Sequence, residues 1–295
     1  MSIVQEARKD ISVMGREEVG IVAKPNSSIV EETLVKVVRS LAIYGIEVKL
    51  EENTAKNYEL SEAYEVFRLG VDHPKKLIVV GGDGTLLRTV MNINDSETIV
   101  MGIRAGKRGF LLDVEQYEVE DRIRDFITGN FRVVEYPRLL TYLADTPLSC
   151  VLNDVVLLTK MAKMVKLAVY VDGERVMGID GDGIIISTTV GSTAYSLSAG
   201  GPIIDPRLNV IVLTPLNPVQ LHLRPIVLPS HSIVEVEVAP GSNNLYLSLD
   251  GQEIREIDVG DIVTVKKCDN PVKIARFKWW ENYYERLYTR LLSYW

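Results

Sequence analysis

Apolar and polar positions alternate with two different periods over the first hundred residues. Residues 19–23 form a short apolar run, followed by Pro25-Asn26-Ser27-Ser28, a turn and helix-start string with Glu31 and Glu32 close behind. Ile29, Val30, Leu34, Val37, Val38 and Leu41 then recur at helical spacing, and Tyr44-Gly45 closes the run. Residues 46–50 alternate as a strand does. A weaker helix is predicted at 61–69. Leu77-Ile78-Val79-Val80 is a continuous aliphatic run of the kind found in strands buried on both faces. A glycine-rich turn, a helix from Leu86 and a strand at 98–103 complete the series. This order predicts an open α/β sheet with parallel strands.

Past Phe110 the pattern changes. One amphipathic helix is predicted at 118–127, and then strand signals dominate at 131–136, 139–144, 151–158, 165–171, 183–187, 210–214, 233–238, 245–249 and 262–267. Turn residues separate these runs at intervals suited to a β-sandwich or a related two-layer fold. The tail from Trp279 to Trp295 combines aromatics and arginines with helical character. The predicted division is an α/β domain at 1–110, a β-rich domain at 111–276 and a helical tail at 277–295 that docks on the body.

Composition narrows the function classes. The 295 residues are 46% hydrophobic and 25% charged, enough for sizeable cores in two domains. A net charge of −7 argues against a dedicated nucleic-acid binder, which needs a basic footprint, but not against a nucleotide substrate. No apolar run has the length of a membrane span, and residues 1–15 lack the apolar centre of an export signal, so a cytoplasmic location without membrane attachment is expected. His73, His222 and His231 form no close ligand pair, and no protein-held metal site is expected. Cys150 and Cys268 sit far apart in no Cys-x-x-Cys pair, and two buried thiols are favoured over the alternative of a structural disulfide.

Three strings carry candidate chemistry. Gly81-Gly82-Asp83-Gly84-Thr85 directly follows a predicted parallel strand, where ligands of open α/β sheets gather. Its glycines let backbone N–H groups approach phosphate oxygens, and the helix that follows adds its positive end. Asp83 is the odd member, because a carboxylate beside phosphates needs a metal or a proton to take. A plain turn would read the same way, but the five-residue string after a strand favours a phosphate loop. The second string runs from Asp180 to Pro206. Its Asp-Gly-Asp-Gly opening suggests a calcium loop, yet Ile184 stands where the third acidic ligand belongs. Beyond it, small residues and hydroxyls suit either close approach of a flat ring or a tightly packed helix. The third is Asn153-Asp154 inside an apolar run, where adjacent polar side chains face opposite ways and one enters the core unless a ligand or a turn receives it. A strand-end pair capping a turn gives the same string. Asp250-Gly251-Gln252 is weaker still, since Asp-Gly is a common hairpin turn.

The Gly-Gly-Asp-Gly-Thr loop, the Asn-Asp pair, the run Gly191-Ser192-Thr193-Ala194-Tyr195-Ser196-Leu197-Ser198-Ala199-Gly200-Gly201-Pro202 and the late Asp-Gly-Gln occur in one order and spacing. Together they closely resemble the NAD kinases over nearly the whole chain from Val19. The loop alone is shared with lipid kinases and phosphofructokinases, whereas the Gly191–Pro202 run discriminates. The resemblance implies an open, Rossmann-like α/β domain and a β-sandwich-like domain with the site in the cleft between them. It implies transfer of the γ-phosphoryl group of ATP, or of another donor such as polyphosphate, to the 2′-hydroxyl of the adenosine ribose of NAD, giving NADP. Mg²⁺ would accompany the ATP. In the implied roles Asp83 accepts the hydroxyl proton, and Gly81, Gly82, Gly84 and Thr85 hold phosphates, with Arg88 adding charge. Asn153 and Asp154 fix the ribose and adenine edges, Thr193, Ala194, Tyr195, Ser196, Leu197 and Ser198 frame the adenine, and Gln252 joins the NAD site. A homodimer or homotetramer is implied, with Asp182 reaching a dinucleotide bound mainly by a neighbouring subunit. Two departures bear on dinucleotide and donor preference: Thr188-Thr189-Val190 replaces the usual Thr-Pro-Thr, and Arg104 stands where Asn is usual. The rivals are a lipid or sphingoid-base kinase, which would need an apolar acceptor slot, and a non-catalytic NAD(P) sensor, which would not need Asp83.

Overall fold

The computed structural model describes residues 17–106, 109–161, 163–277 and 283–292. Contacts divide the described chain into two compact units, one up to Glu135 with Val272 onward, the other Tyr136–Pro271. These divisions fall at other positions than the expected 110 and 276.

The first unit is built on β1 (Glu18–Ala23), β2 (Glu47–Glu51), β3 (Glu65–Phe67), β4 (Lys76–Gly81), β5 (Ile99–Arg104), β6 (Val114–Glu115) and β7 (Arg132–Tyr136), joined by one strand from the far end of the chain. The spatial order is β3-β2-β1-β4-β5, then that late strand, then β7, with β6 beside β5. Pairings β1 to β2, β2 to β3, β1 to β4, β4 to β5 and β5 to β6 are all parallel. The helices are α1 (Ser28–Ile43), α2 (Glu52–Asn57), α3 (Asp83–Met91) and α4 (Val119–Thr128). Val30, Leu34, Val37 and Leu41 of α1 pack with Ile123 and Phe126 of α4 over Ile21, Ile78, Val80 and Met101 of the sheet. That packing is why α4 belongs with the first unit although it follows the change of pattern at 110. The helix predicted at 61–69 is absent, and β3 stands there instead. Phe67, buried at the edge of a sheet, takes the strand conformation because pairing with Glu51 satisfies its backbone.

The second unit holds two six-stranded sheets. Its strands are β8 (Leu139–Leu143), β9 (Thr146–Val151), β10 (Asp154–Thr159), β11 (Val165–Val171), β12 (Glu174–Gly181), β13 (Gly183–Thr188), β14 (Val210–Leu216), β15 (Ile226–Pro229), β16 (Val234–Val238), β17 (Leu245–Leu249), β18 (Glu253–Ile257) and β19 (Ile262–Lys267). One sheet runs β15-β14-β13-β10-β17-β18 and the other β12-β11-β16-β19-β8-β9. Every pairing between neighbours in them is antiparallel. The predicted strand at 151–158 is two strands broken at Leu152-Asn153. The short helix α5 (Tyr195–Ser198) lies within this unit.

Strand β20 (Val272–Arg276) is the late strand, pairing parallel with β5. Helix α6 (Tyr283–Leu292) follows, with Leu287 buried. The segment 1–15, Trp279, Trp280 and Trp295, all weighed in the sequence, lie outside the described residues. Among the described residues no helix is long and apolar enough to cross a membrane.

The two cysteines do not remain separate thiols. Cys150 and Cys268 form a disulfide with their Cα atoms 6.3 Å apart. β8 brings them together: β9 sets Cys150 opposite Leu140, and the amide of Cys268, just past β19, bonds the Arg138 carbonyl at the start of β8. A separation of 118 residues hides this neighbourhood from the sequence.

Candidate active site

The glycine-rich string is the turn from β4 into α3. Gly81 ends the strand, Gly82 is the helix N-cap and has no side chain to occupy the first-turn amides, and Asp83, Gly84 and Thr85 start the helix. Gly84 is exposed and Thr85 buried. Anions are favoured at such a helix start by its orphan N–H groups and dipole. Both oxygens of the Asp83 carboxylate accept backbone hydrogen bonds, from Phe110 N at 2.6 Å and Leu111 N at 2.9 Å. These bonds fix the plane of the carboxylate and leave further lone pairs on each oxygen. Arg88, one turn along, pairs with the buried carboxylate of Glu51 at 3.5 Å. Arg104 at the end of β5 pairs with Glu115.

The Asn-Asp pair lies where β9 gives way to β10. The carboxylate of Asp250 accepts hydrogen bonds from the backbone N–H groups of Leu152, Asn153 and Asp154 at 2.7, 2.8 and 2.9 Å, and Asp250 N donates back to Asp154 O at 3.0 Å. Asp250 and Gly251 both hold positive φ in the turn between β17 and β18. The sequence gives Asp250 only a turn role; nothing in an Asp-Gly pair signals that its carboxylate pins a segment about a hundred residues earlier, at separations of 96 to 98. Arg138, missed as well, is 2% exposed, and its Nε donates to Asn270 O at 2.8 Å.

These buried charges move one another's ionisation. Burial, reinforced by the charge of Asp250, pushes the Asp154 carboxyl up to about 7. Burial also raises Asp250, to about 6, while its three backbone donors and the charge of Arg138 pull it back. Arg138 is lowered to about 10 by burial, against the attraction of Asp250. Asn153 Oδ1 and Ser187 Oγ are buried without a hydrogen-bond partner, and Ser187 lies directly across from Asp154 in the β10–β13 register. Ser187 Oγ and Asn153 Oδ1 are thus buried polar atoms on the strand opposite Asp154 and in the turn that precedes it.

The small-residue run is drawn onto this turn. A Cβ on Gly191 would lie 2.0 Å from the Asn153 carbonyl oxygen, so only glycine permits this approach. Thr188 ties the two together, its Oγ1 donating to Leu152 O at 2.6 Å and accepting from Gly191 N at 3.0 Å. Thr189, which replaces the usual proline, donates to Leu208 O at 2.7 Å. Ser196 is wholly buried and bonds Thr214 Oγ1 at 2.8 Å, which anchors α5 to the sheet. Tyr195 and Ser198 are exposed, while Thr193, Ala194 and Leu197 are partly exposed. Thr193 Oγ1 donates to Val190 O, and the Gln252 amide bonds Asp250 O at 3.4 Å.

Asp182 is placed apart from this group. It is the link between β12 and β13, where the chain changes sheets, and its carboxylate accepts from Asn217 Nδ2 at 2.7 Å. A Cβ on the next residue, Gly183, would meet Leu157 O at 1.9 Å. Asp154 pairs with Ser187 and Leu158 with Gly183, so Asp182 and Asp154 stand at opposite ends of β13. At about 3.3 Å per residue that is a separation on the order of 15 Å.

Comparison with known proteins matches these halves one by one. Residues 19–131 match the family model described as the ATP-NAD kinase N-terminal domain, and residues 152–277 the ATP-NAD kinase C-terminal domain. An NAD kinase of Aeropyrum pernix is 52% identical over 94% of this chain and 99% of its own. An NAD kinase of Thermococcus sibiricus is 34% identical over 92% and 96%. Among solved structures, yeast NADH kinase complexed with NADH superposes with a TM-score of 0.86 at 25% identity, covering 95% of this chain and 89% of that one. An Archaeoglobus fulgidus NAD kinase in complex with ATP gives 0.75 at 25% identity, covering 94% and 99%. With both halves matched and relatives aligned almost end to end, the chain belongs to the ATP-NAD kinase family.

Proposed function

We propose that the protein is an NAD kinase that moves the γ-phosphoryl group of ATP to the 2′-hydroxyl of the adenosine ribose of NAD, giving NADP. The observation that carries this reading is the pinned pair Asn153-Asp154, whose backbone is held by Asp250 and whose buried Asn153 Oδ1 and Asp154 carboxylate are acceptors. A ribose supplies hydroxyl donors. Thr193, Ala194, Tyr195 and Ser198 frame the adenine, with Leu197 and Gln252 contributing to the same NAD site, and Ser196 anchors that wall. Gly81, Gly82, Gly84 and Thr85 hold phosphates at the start of α3. Asp83 accepts the proton of the attacking hydroxyl, which is a poor nucleophile until the proton leaves as the bond to phosphorus forms. Polyphosphate is a second donor to be tried in the same assay.

Mg²⁺ fits this chain as a companion of the nucleotide. Among the described residues no three His, Cys, Asp or Glu side chains gather around a common point. Mg²⁺ commonly keeps waters and takes phosphate oxygens with one or two carboxylates. When bound it would neutralise charge on the transferring group. A homodimer or homotetramer, in which Asp182 serves a dinucleotide held by a neighbour, belongs to the same reading. The cytoplasm, where NAD and ATP meet, is the proposed location.

The deciding experiment uses an NAD analogue lacking the adenosine 2′-hydroxyl. It is expected to bind and receive no phosphate from MgATP. A phosphorylated product, identified by mass, would mean another hydroxyl is the acceptor and would end the assignment.

A further inference from the structure

Arg276 ends β20 and is 1% exposed. A guanidinium is costly to bury unless charge and hydrogen bonds compensate. Its Nη1 donates to the Leu111 carbonyl oxygen at 2.6 Å and to Asp113 Oδ1 at 2.9 Å, and the Asp113 side chain is itself 3% exposed. The register explains the placement. β20 runs parallel to β5 with Ile274 beside Val100, so Arg276 emerges toward the carboxyl end of the sheet, the end at which β4 hands over to Asp83.

Leu111 is therefore gripped by side chains at both of its backbone polar groups. Its N–H is held by Asp83 and its carbonyl by Arg276. Between the two anchors of the guanidinium, Leu112 is fully buried against Gly102, where even a Cβ would approach it to 3.0 Å. We infer that Arg276, through its ion pair with Asp113, is a positioning residue that holds the 110–113 backbone in place so that this backbone fixes the Asp83 carboxylate. The inference rests on Asp83 being the proton acceptor. When the segment relaxes, Asp83 loses its two amide donors and regains rotamer freedom. Fewer bound complexes then present an oxygen in line with the hydroxyl. The loss falls on turnover, because NAD affinity comes from other residues.

The test compares full-length Arg276→Met, Arg276→Lys, Asp113→Asn and Asp83→Asn with the parent. It reads kcat, KM for NAD, thermal melting, and amide hydrogen exchange of peptides spanning 110–113. Arg276→Met is expected to lower kcat about ten- to hundredfold while KM for NAD stays within about threefold. Arg276→Lys, which keeps a cation beside Asp113, should regain a large part of kcat. Exchange at 110–111 should quicken both in Arg276→Met and in Asp83→Asn. A folded Arg276→Met enzyme with parental kcat, or a kcat loss matched by an equal loss of NAD affinity, overturns the inference. If Arg276→Met does not fold, Asp113→Asn decides: kcat must fall at unchanged KM, and parental kcat overturns the inference. An active Asp83→Asn enzyme would instead remove the proton-acceptor reading, and the exchange rates would still report whether Arg276 holds the segment.

Discussion

NAD binding should release a proton, and Asp154 should be its source. In the free protein burial first, and then the charge of Asp250, raises the Asp154 carboxyl to about 7. Ribose hydroxyls donating to that carboxyl favour its ionised form, so the complex holds Asp154 at a lower value. The sign follows. At pH 8 Asp154 is already ionised and binding costs no deprotonation. At pH 6 nearly all of it is protonated, and NAD must displace the proton. Each unit below the free-state value then weakens binding by about tenfold, roughly 1.4 kcal/mol. Affinity at pH 6 should be about tenfold poorer than at pH 8, with close to one proton released per NAD bound at pH 6. The free protein is expected to behave conversely: a raised carboxyl contributes stability at low pH that is lost as pH climbs from the unfolded value through about 7. Asp250 and Arg138 are the charged groups coupled to this site, and Asp250, at about 6, broadens the lower end of the profile, because its protonation removes a charge that raises Asp154. Titration calorimetry at pH 6, 7 and 8, in buffers of different ionisation enthalpy, measures both affinity and proton count. Asp154→Asn should flatten the profile. Equal affinity at pH 6 and 8, or the same slope surviving in Asp154→Asn, would refute the reasoning.

Two further outcomes follow from the same unit. Asp250→Asn leaves an amide where three buried N–H groups now find a carboxylate, so at least one donor goes unpaired at a cost of about 1–3 kcal/mol each. Urea unfolding should show that loss, and NAD binding should weaken as the Asn153-Asp154 turn loosens; unchanged stability would mean the turn holds itself. The Cys150–Cys268 bridge spans 118 residues, for which loop-closure entropy suggests a stabilisation of about 5 kcal/mol. Replacing both cysteines with serine, or adding reductant, should lower the urea midpoint accordingly, and a shift worth under about 1 kcal/mol would show that the bridge constrains little.

Local pattern was enough to determine the first strand and helix, the strands at 46–50, 77–80 and 98–103 and the helix after the glycine string, because each is a short-range matter of periodicity, caps and turn residues. The run Leu77–Val80 announced a buried strand, and the glycine string after it announced the turn into a helix. The order of four motifs was enough to identify the family. What the sequence did not hold was any relation between distant segments. The weak helical spacing at 61–69 lost to edge pairing with β2. The apolar run at 151–158 hid a break, because the carboxylate that makes the break, Asp250, arrives from a hairpin formed much later in the chain. The first sheet is completed by β20, a strand that no local signal set apart and that carries Arg276 back to the turn beside Asp83. Arg138 and the cysteine pair escaped for the same reason, since burial and partnership are properties of the packed chain. Periodicity encodes which face of an element is apolar; it does not encode which distant polar group will need a partner once that face is buried, and at this site the partners are what hold the chemistry in place.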